Sequence, residues 1–275
     1  MNVRNTDLRK LEELSSSPKD NFSLKKHFGT DGIRGIPEES LTEEIISNVC
    51  ASVEEILKPK TIALITDTRK SSEVISSWIS EGFSHNVEIL NYGVLPSGSM
   101  PILLNELNHD MGIIISASHN PSEYNGIKLI DKNGSKLLDD VEILIEETMD
   151  EIQLPENSSS IKNSHLGYES YKKFLNSIND IDFSNFDLVI DSANGSAFEI
   201  IKDIVPDSVG KITHIANKPN GQNINEESGA TNTKNLINIM KNGQLGVSFD
   251  GDADRLIMID ENKEIANGDV LIALL

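Results

Sequence analysis

Three short stretches carry residue types that could do chemistry together. VSFDGDADRL places Asp250, Asp252 and Asp254 at alternate positions, with Arg255 next in line. Carboxylates this close repel one another unless a cation sits among them. An all-oxygen ligand set suits Mg2+ or Ca2+. Arg255 beside such an ion would make a phosphate clamp. An EF-hand loop is a poor match, because Arg255 occupies the place that needs glycine and the flanks, VSF and LIMI, are strand-like. A solvated acidic turn is the alternative.

The second stretch is IISASHNPSEYNG, residues 114–126. An apolar run delivers Ser118 and His119 into a loop, and Asn120-Pro121 and Asn125-Gly126 read as turn dipeptides. His119 could activate Ser118 or bind an anion, and Lys128 just beyond could add a positive charge. A capping serine beside an exposed histidine is the plainer reading. No G-x-S-x-G elbow is present, which argues against an α/β-hydrolase nucleophile. The third stretch, HFGTDGIRG (27–35), is glycine-rich and carries Arg34. Such turns bring backbone N–H groups toward anions. Its spacing is neither a P-loop nor a dinucleotide fingerprint. A tight turn alone would explain it, with Arg34 the residue of functional interest.

The elements that must position these residues alternate in type. TIALITD (61–67) and MGIIIS (111–116) are β-branched runs. LTEEIISNVCASVEEIL (41–57), SSEVISSWISEGF (71–83) and DDVEILIEETMDEI (139–152) have helical spacing. QLPENSSSIKNSH (153–165) is polar and reads as a linker. Beyond it come a helix (YESYKKFLNSI), a strand (FDLVIDSANG), a helix, a weak strand near 212–216, a further helix, and the strands LGVSFDG and LIMID. The alternation predicts an α/β fold: tandem similar domains, each a mixed or parallel sheet sandwiched by helices. At carboxyl ends of strands in such sheets, ligands gather. Ser118 follows one such strand.

The chain has 275 residues, which suits roughly two domains. The net charge of −20 argues against nucleic acid and against an anionic membrane surface. It also means that a phosphate ligand would have to be held by local positive groups. No run reaches the ~18 apolar residues of a membrane span, and the N-terminus has no apolar signal region. The single cysteine, Cys50, excludes an internal disulfide framework. A cytoplasmic location is the expectation.

Taken together, FGTDGIRG, SASHNPSEYNGIK and DGDADR resemble the phosphate-binding first loop, phosphoserine loop and metal loop of the α-D-phosphohexomutase superfamily. DSANG (191–195), KPNGQNINEESGAT (218–231) and NGSKLLDDVEILIEETMD resemble its bacterial phosphoglucosamine mutase branch. The likeness runs from about residue 26 to the last residue. It implies a polar N-terminal extension (1–24), a first domain with the phosphoserine loop (25–160), a second with the metal loop (161–262), and the start of a third (263–275). The family's G-E-x-S-G-H sugar loop and R-x-S-G-T-E-P phosphate loop are missing from this sequence. The chain therefore reads as the first part of a four-domain protein, expected to be inactive alone.

The resemblance implies an intramolecular phosphotransferase that interconverts glucosamine 6-phosphate and glucosamine 1-phosphate for cell-wall precursor synthesis. Ser118 would be phosphorylated, and Ser118, Asp250, Asp252 and Asp254 would hold one Mg2+. Arg34 and Lys128 match general base and acid residues, although an arginine holds its proton so firmly that an electrostatic role suits Arg34 better. His119 would hydrogen-bond the phosphoserine or substrate, and Arg34, Lys128 and Arg255 would bind phosphate. A glucose or glucosamine 1,6-bisphosphate would be the intermediate or activator. The partner would be a small phosphosugar, and a homodimer is allowed. Phosphoglucomutase or phosphomannomutase activity, a phosphoserine hydrolase, and a remnant that only binds metal or phosphosugar are the alternatives. Three departures stand out: Ser72 and Ala253 where the family tends to glycine, and LPSGSMP (95–101) in place of L-P-T-P. The alanine implies that position 253 needs no positive φ.

Overall fold

A computed structural model describes residues 25–178, 187–205, 211–266 and 268–269. The predicted extension, 1–24, and nearly all of 267–275 lie outside them. Two sheets form. Chain order in the first is β1 (Ile33–Gly35), β2 (Thr61–Thr66), β3 (Glu88–Val94), β4 (Met111–Ile115), β5 (Asn125–Asp131) and β6 (Ile161–Asn163). In space they run β1-β5-β4-β2-β3-β6. The β4-β2-β3-β6 part is parallel, while β5 is antiparallel to both β1 and β4.

Alternation along β2 shows why this sheet has two covered faces. Ile62 and Leu64 join one apolar cluster, Ala63 and Ile65 the other, and all four are buried. Successive strand residues point to opposite faces, so a continuous apolar run demands helices on both sides. One face is covered by α1 (Glu43–Leu57), α2 (Ser72–Gly82) and α4 (Asp139–Met149); the other by α3 (Met100–Glu106) and α5 (Leu166–Ile178). Thr42 caps α1 by accepting the Ile45 N–H at 3.3 Å, with Glu43 and Glu44 in the first turn. Cys50 lies on the buried face of α1, and burial pushes its thiol pKa up.

The second sheet is smaller. It orders β10 (Leu256–Ile259), β9 (Leu245–Phe249), β7 (Asp187–Asp191) and β8 (Lys211–Ile215), with only β10 antiparallel. Leu188 and Ile190 pack with Ile201 of α6 (Ile200–Ile204), and Val189 packs with Leu236 of α7 (Lys234–Ile239). Two sandwiched mixed sheets in series are therefore present.

Two local expectations change. The polar stretch read as a linker contributes β6, an edge strand parallel to β3. Asn125-Gly126 does not make a turn; it opens β5 and pairs with Arg34 and Gly35 of β1. A Cβ on Gly126 would stand 2.3 Å from the Ile33 carbonyl oxygen, so glycine serves close strand approach here.

Candidate active site

The loops that carry six of the predicted residues leave the carboxyl ends of β4 and β9 and meet between the two sheets, while Arg34 and Lys128 stand on β1 and β5. Ser118 is fully buried and adopts φ 52°, a left-handed conformation that is costly for a residue with a Cβ. Its hydroxyl donates to Asp250 Oδ2 at 2.7 Å and lies 3.3 Å from His119 Nδ1. The nearest partner of the serine is thus a carboxylate of the acidic triplet, not the histidine beside it.

What holds Ser118 there is a buried network. Its backbone N–H donates to Ser116 Oγ at 2.9 Å, and Ser116 Oγ donates to Asp67 Oδ2 at 2.6 Å. Asp67 also pairs with Arg69, with Nε at 2.9 Å from Oδ2. Arg69 is itself buried, and its guanidinium donates to the carbonyls of Ser118, Asn120, Pro121 and Tyr124. One cation thus organises four carbonyls of a single loop, and a buried charge is tolerated because it is paired and fully hydrogen-bonded.

Asp250, Asp252 and Asp254 each bring one oxygen within 4.8 Å of the others. The first two are buried and the third is exposed. Burial, then the charge of Asp252, pushes the Asp250 carboxyl up to about 6. Burial also acts to raise Asp252, but the Lys128 charge and hydrogen bond outweigh it and hold Asp252 below the usual carboxylate range. Lys128 Nζ stands 2.8 Å from Asp252, 3.0 Å from Asp31 and 3.2 Å from Asp254. Burial alone would lower the Lys128 pKa; these carboxylates raise it well above its ordinary value. Asp252 Oδ1 is buried without a partner. Converging carboxylates with an orphaned buried oxygen fit a hard divalent cation such as Mg2+.

Arg34 pairs with Asp31, and its Nη1 reaches toward the Ala117 carbonyl at 3.5 Å. Arg255 is half exposed, with Nε 3.9 Å from Asp254 Oδ1. Burial, then the positive charges of Arg255 and Arg34, holds His119 below its ordinary pKa. All eight predicted residues thus gather at one place.

One expectation about the metal loop is overturned. Ala253 adopts φ 57°, so a left-handed residue is needed there after all. The turn closes through the Ala253 N–H to the Asp250 carbonyl at 3.1 Å, and alanine accepts a cost of about 1 kcal/mol where glycine would have none. In LPSGSMP, Ser97 takes a direct part: its N–H and Oγ donate to the carbonyl and Oδ2 of Asp252, each at 2.9 Å. Four residues that sequence reasoning assigned no role belong to the site: Asp31, Arg69, Ser97 and Asn225. Arg69 serves backbone carbonyls, and Ser97, Asn225 and, through Lys128, Asp31 find partners distant in sequence, contacts that leave no mark in residue type.

The chain matches the phosphoglucomutase/phosphomannomutase alpha/beta/alpha domain I over residues 25–156 and domain II over residues 169–264. It is 36% identical over 265 residues to a phosphoglucosamine mutase of Alkaliphilus oremlandii, and 37% identical over 253 residues to one of Thermotoga neapolitana. In both comparisons the match covers 91% of this chain and 59% of the relative, so the chain spans well under two thirds of those proteins' length. A solved phosphoglucomutase/phosphomannomutase family protein from Burkholderia thailandensis shares the fold, with a TM-score of 0.75 at 19% identity over 90% of this chain and 57% of that one. The open form of the Paramecium phosphoglucomutase parafusin gives 0.70 at 19% over 89% and 54%. Matched through two successive domains, the chain belongs to the phosphoglucomutase/phosphomannomutase family.

Proposed function

We propose that the chain supplies the phosphoryl-carrying half of a phosphosugar mutase, with Ser118 as carrier and glucosamine 6-phosphate and glucosamine 1-phosphate as the interconverted pair. The observation that carries this reading is the hydroxyl of a buried serine held 2.7 Å from a carboxylate of a converging acidic triplet. The choice of glucosamine rests on relatives named phosphoglucosamine mutase at 34–37% identity.

Phosphoryl transfer needs positioning and charge neutralisation more than covalent help. Mg2+ held by Asp250, Asp252 and Asp254 would neutralise charge on the phosphoserine and act as a Lewis acid. The residues of the chain do the rest. Arg69 fixes the backbone of the loop, so the serine oxygen needs no search for its position. As the bond from phosphorus to Ser118 Oγ breaks, a bond to a sugar hydroxyl oxygen forms, and the proton that hydroxyl loses ends on Ser118 Oγ, which regains its O–H. The resulting 1,6-bisphosphate returns its other phosphoryl group to Ser118 after reorienting. Lys128 is held protonated by three carboxylates, so it serves as a fixed positive charge or an acid, not as a base. His119 can hydrogen-bond the phosphoryl oxygens, and Arg34 and Arg255 offer guanidinium groups to phosphate on the more open side.

The test supplies glucosamine 6-phosphate, a trace of glucosamine 1,6-bisphosphate and Mg2+ to a protein extended to the relatives' full length. Glucosamine 1-phosphate is the expected product, and Ser118→Ala is expected to abolish it. Wild-type turnover in the alanine variant would overturn the carrier role. A faster reaction with glucose or mannose 6-phosphate would move the assignment to phosphoglucomutase or phosphomannomutase.

A further inference from the structure

The carbonyls of Ser118 and Asn120 each receive two hydrogen bonds, one from each side of the junction between the sheets. Arg69, in the same unit as the serine, donates at 3.0 Å and 2.8 Å. Asn225, in the segment between β8 and α7, donates from Nδ2 at 2.9 Å and 3.0 Å. Both lone pairs of each carbonyl are therefore used. The amide orientation is forced, because turning it would set Oδ1 against two carbonyl oxygens. Oδ1 instead faces inward and is buried without a partner.

Asn225 is itself fixed to the second unit. It adopts φ 59°, and its N–H donates to the Ala193 carbonyl at 2.8 Å. Its side chain also lies beside the metal loop. A Cβ added to Gly251 would stand 2.5 Å from the Ser118 carbonyl and 3.1 Å from Asn225 Nδ2. The backbone of the metal loop, the Asn225 amide and the serine loop are in mutual contact.

We infer that Asn225 is a positioning residue that registers the serine loop on the second unit, so that Ser118 Oγ meets Asp250. Without it Arg69 would still shape the loop, but the loop's direct hydrogen bond to the metal loop would be the Ser118–Asp250 contact alone, while Ser97 and Lys128 hold the metal loop from other elements. The consequence for phosphoryl transfer rests on the proposed function; the latch itself does not.

Two measurements test it, hydrogen exchange on the 275-residue chain and phosphoryl uptake on the protein extended to the relatives' full length, using Asn225→Ala and the milder Asn225→Ser. In hydrogen exchange, the amides of 117–124 are expected to exchange about tenfold faster in the variants, the loss expected for two such bonds. Those of β2 and β4 should be unchanged. Uniformly faster exchange, including β2 and β4, would mean a general loss of stability and would overturn the positioning role. So would exchange at wild-type rates throughout. The second measurement follows phosphoryl uptake at Ser118 from glucosamine 1,6-bisphosphate with Mg2+, by intact mass. A slower uptake in the variants, by about the same factor, is expected. If the wild type takes up no phosphoryl group, the proposed function fails at this step and exchange alone judges Asn225. If the wild type is charged and the variants match it, the inference fails and the function stands.

Discussion

At the scale of single residues, charge balance around Lys128 governs the site. Its ammonium is nearly buried and touches Asp31, Asp252 and Asp254. Removing one partner from a buried charge cluster leaves the others uncompensated. Lys128→Met should therefore lower the stability of the protein in EDTA, by about 3 kcal/mol. Millimolar Mg2+ should restore much of that, and should raise Tm more in the variant than in the wild type, because a competing cation is gone. Thermal melts with EDTA and with Mg2+ check both signs; an unchanged Tm in EDTA would sink the argument. The same scale shows what residue types could and could not reveal. Asp250, Asp252 and Asp254 were legible because like charges at alternate positions call for a cation. Arg69 was not, because it serves four backbone carbonyls, and any sequence presents those.

At the scale of elements, α4 does more than cover a sheet face. Glu146 on its buried side accepts the backbone N–H groups of Lys26, His27 and Phe28 at 2.6, 2.8 and 2.7 Å. One turn earlier Glu142, 1% exposed, pairs with Lys136 at 3.2 Å and with Lys25. These carboxylates anchor the chain as it enters the glycine-rich loop that leads to Arg34. Glu146→Ala would leave three donors without an acceptor, costing about 3 kcal/mol, whereas Glu146→Gln keeps an acceptor oxygen and should cost less. Urea unfolding of the two variants gives the comparison, and an alanine variant as stable as wild type would remove the anchor from the account.

Strands and helices with strong apolar patterns were readable at this scale: β2 and β4 as unbroken runs, α1 from its spacing. Ile161–Asn163 was not, because an edge strand is joined by backbone hydrogen bonds and its polar side chains point to water. Asn125-Gly126 misled for a related reason. The glycine is required by a neighbouring strand, a contact local turn statistics do not include. Ala253 misled in the opposite sense, since a single unfavourable φ is carried by the turn around it.

At the scale of the whole molecule, the sum of charges works against the compact state. The sequence carries 44 acidic and 24 basic residues. The cations of the site are matched there by carboxylates such as Asp31, Asp67, Asp252 and Asp254, so nearly all of the net charge lies elsewhere in the chain. Self-repulsion of this kind is screened by salt. Added NaCl should therefore raise Tm in EDTA, and a flat or falling Tm would show that local ion pairs outweigh the net charge.

The junction between the two sheets has a consequence in time as well as in space. Asp250 lies 132 positions after Ser118, and Asn225 lies 107 after it. Arg69, by contrast, precedes Ser118 by 49. During synthesis at about 5–20 residues per second, the serine loop emerges with its internal organiser already made. It then waits on the order of ten seconds for the residues that complete it. The loop acquires its shape first and its register later, so a nascent chain passes through a stage in which the serine is formed but cannot yet be addressed by the acidic loop.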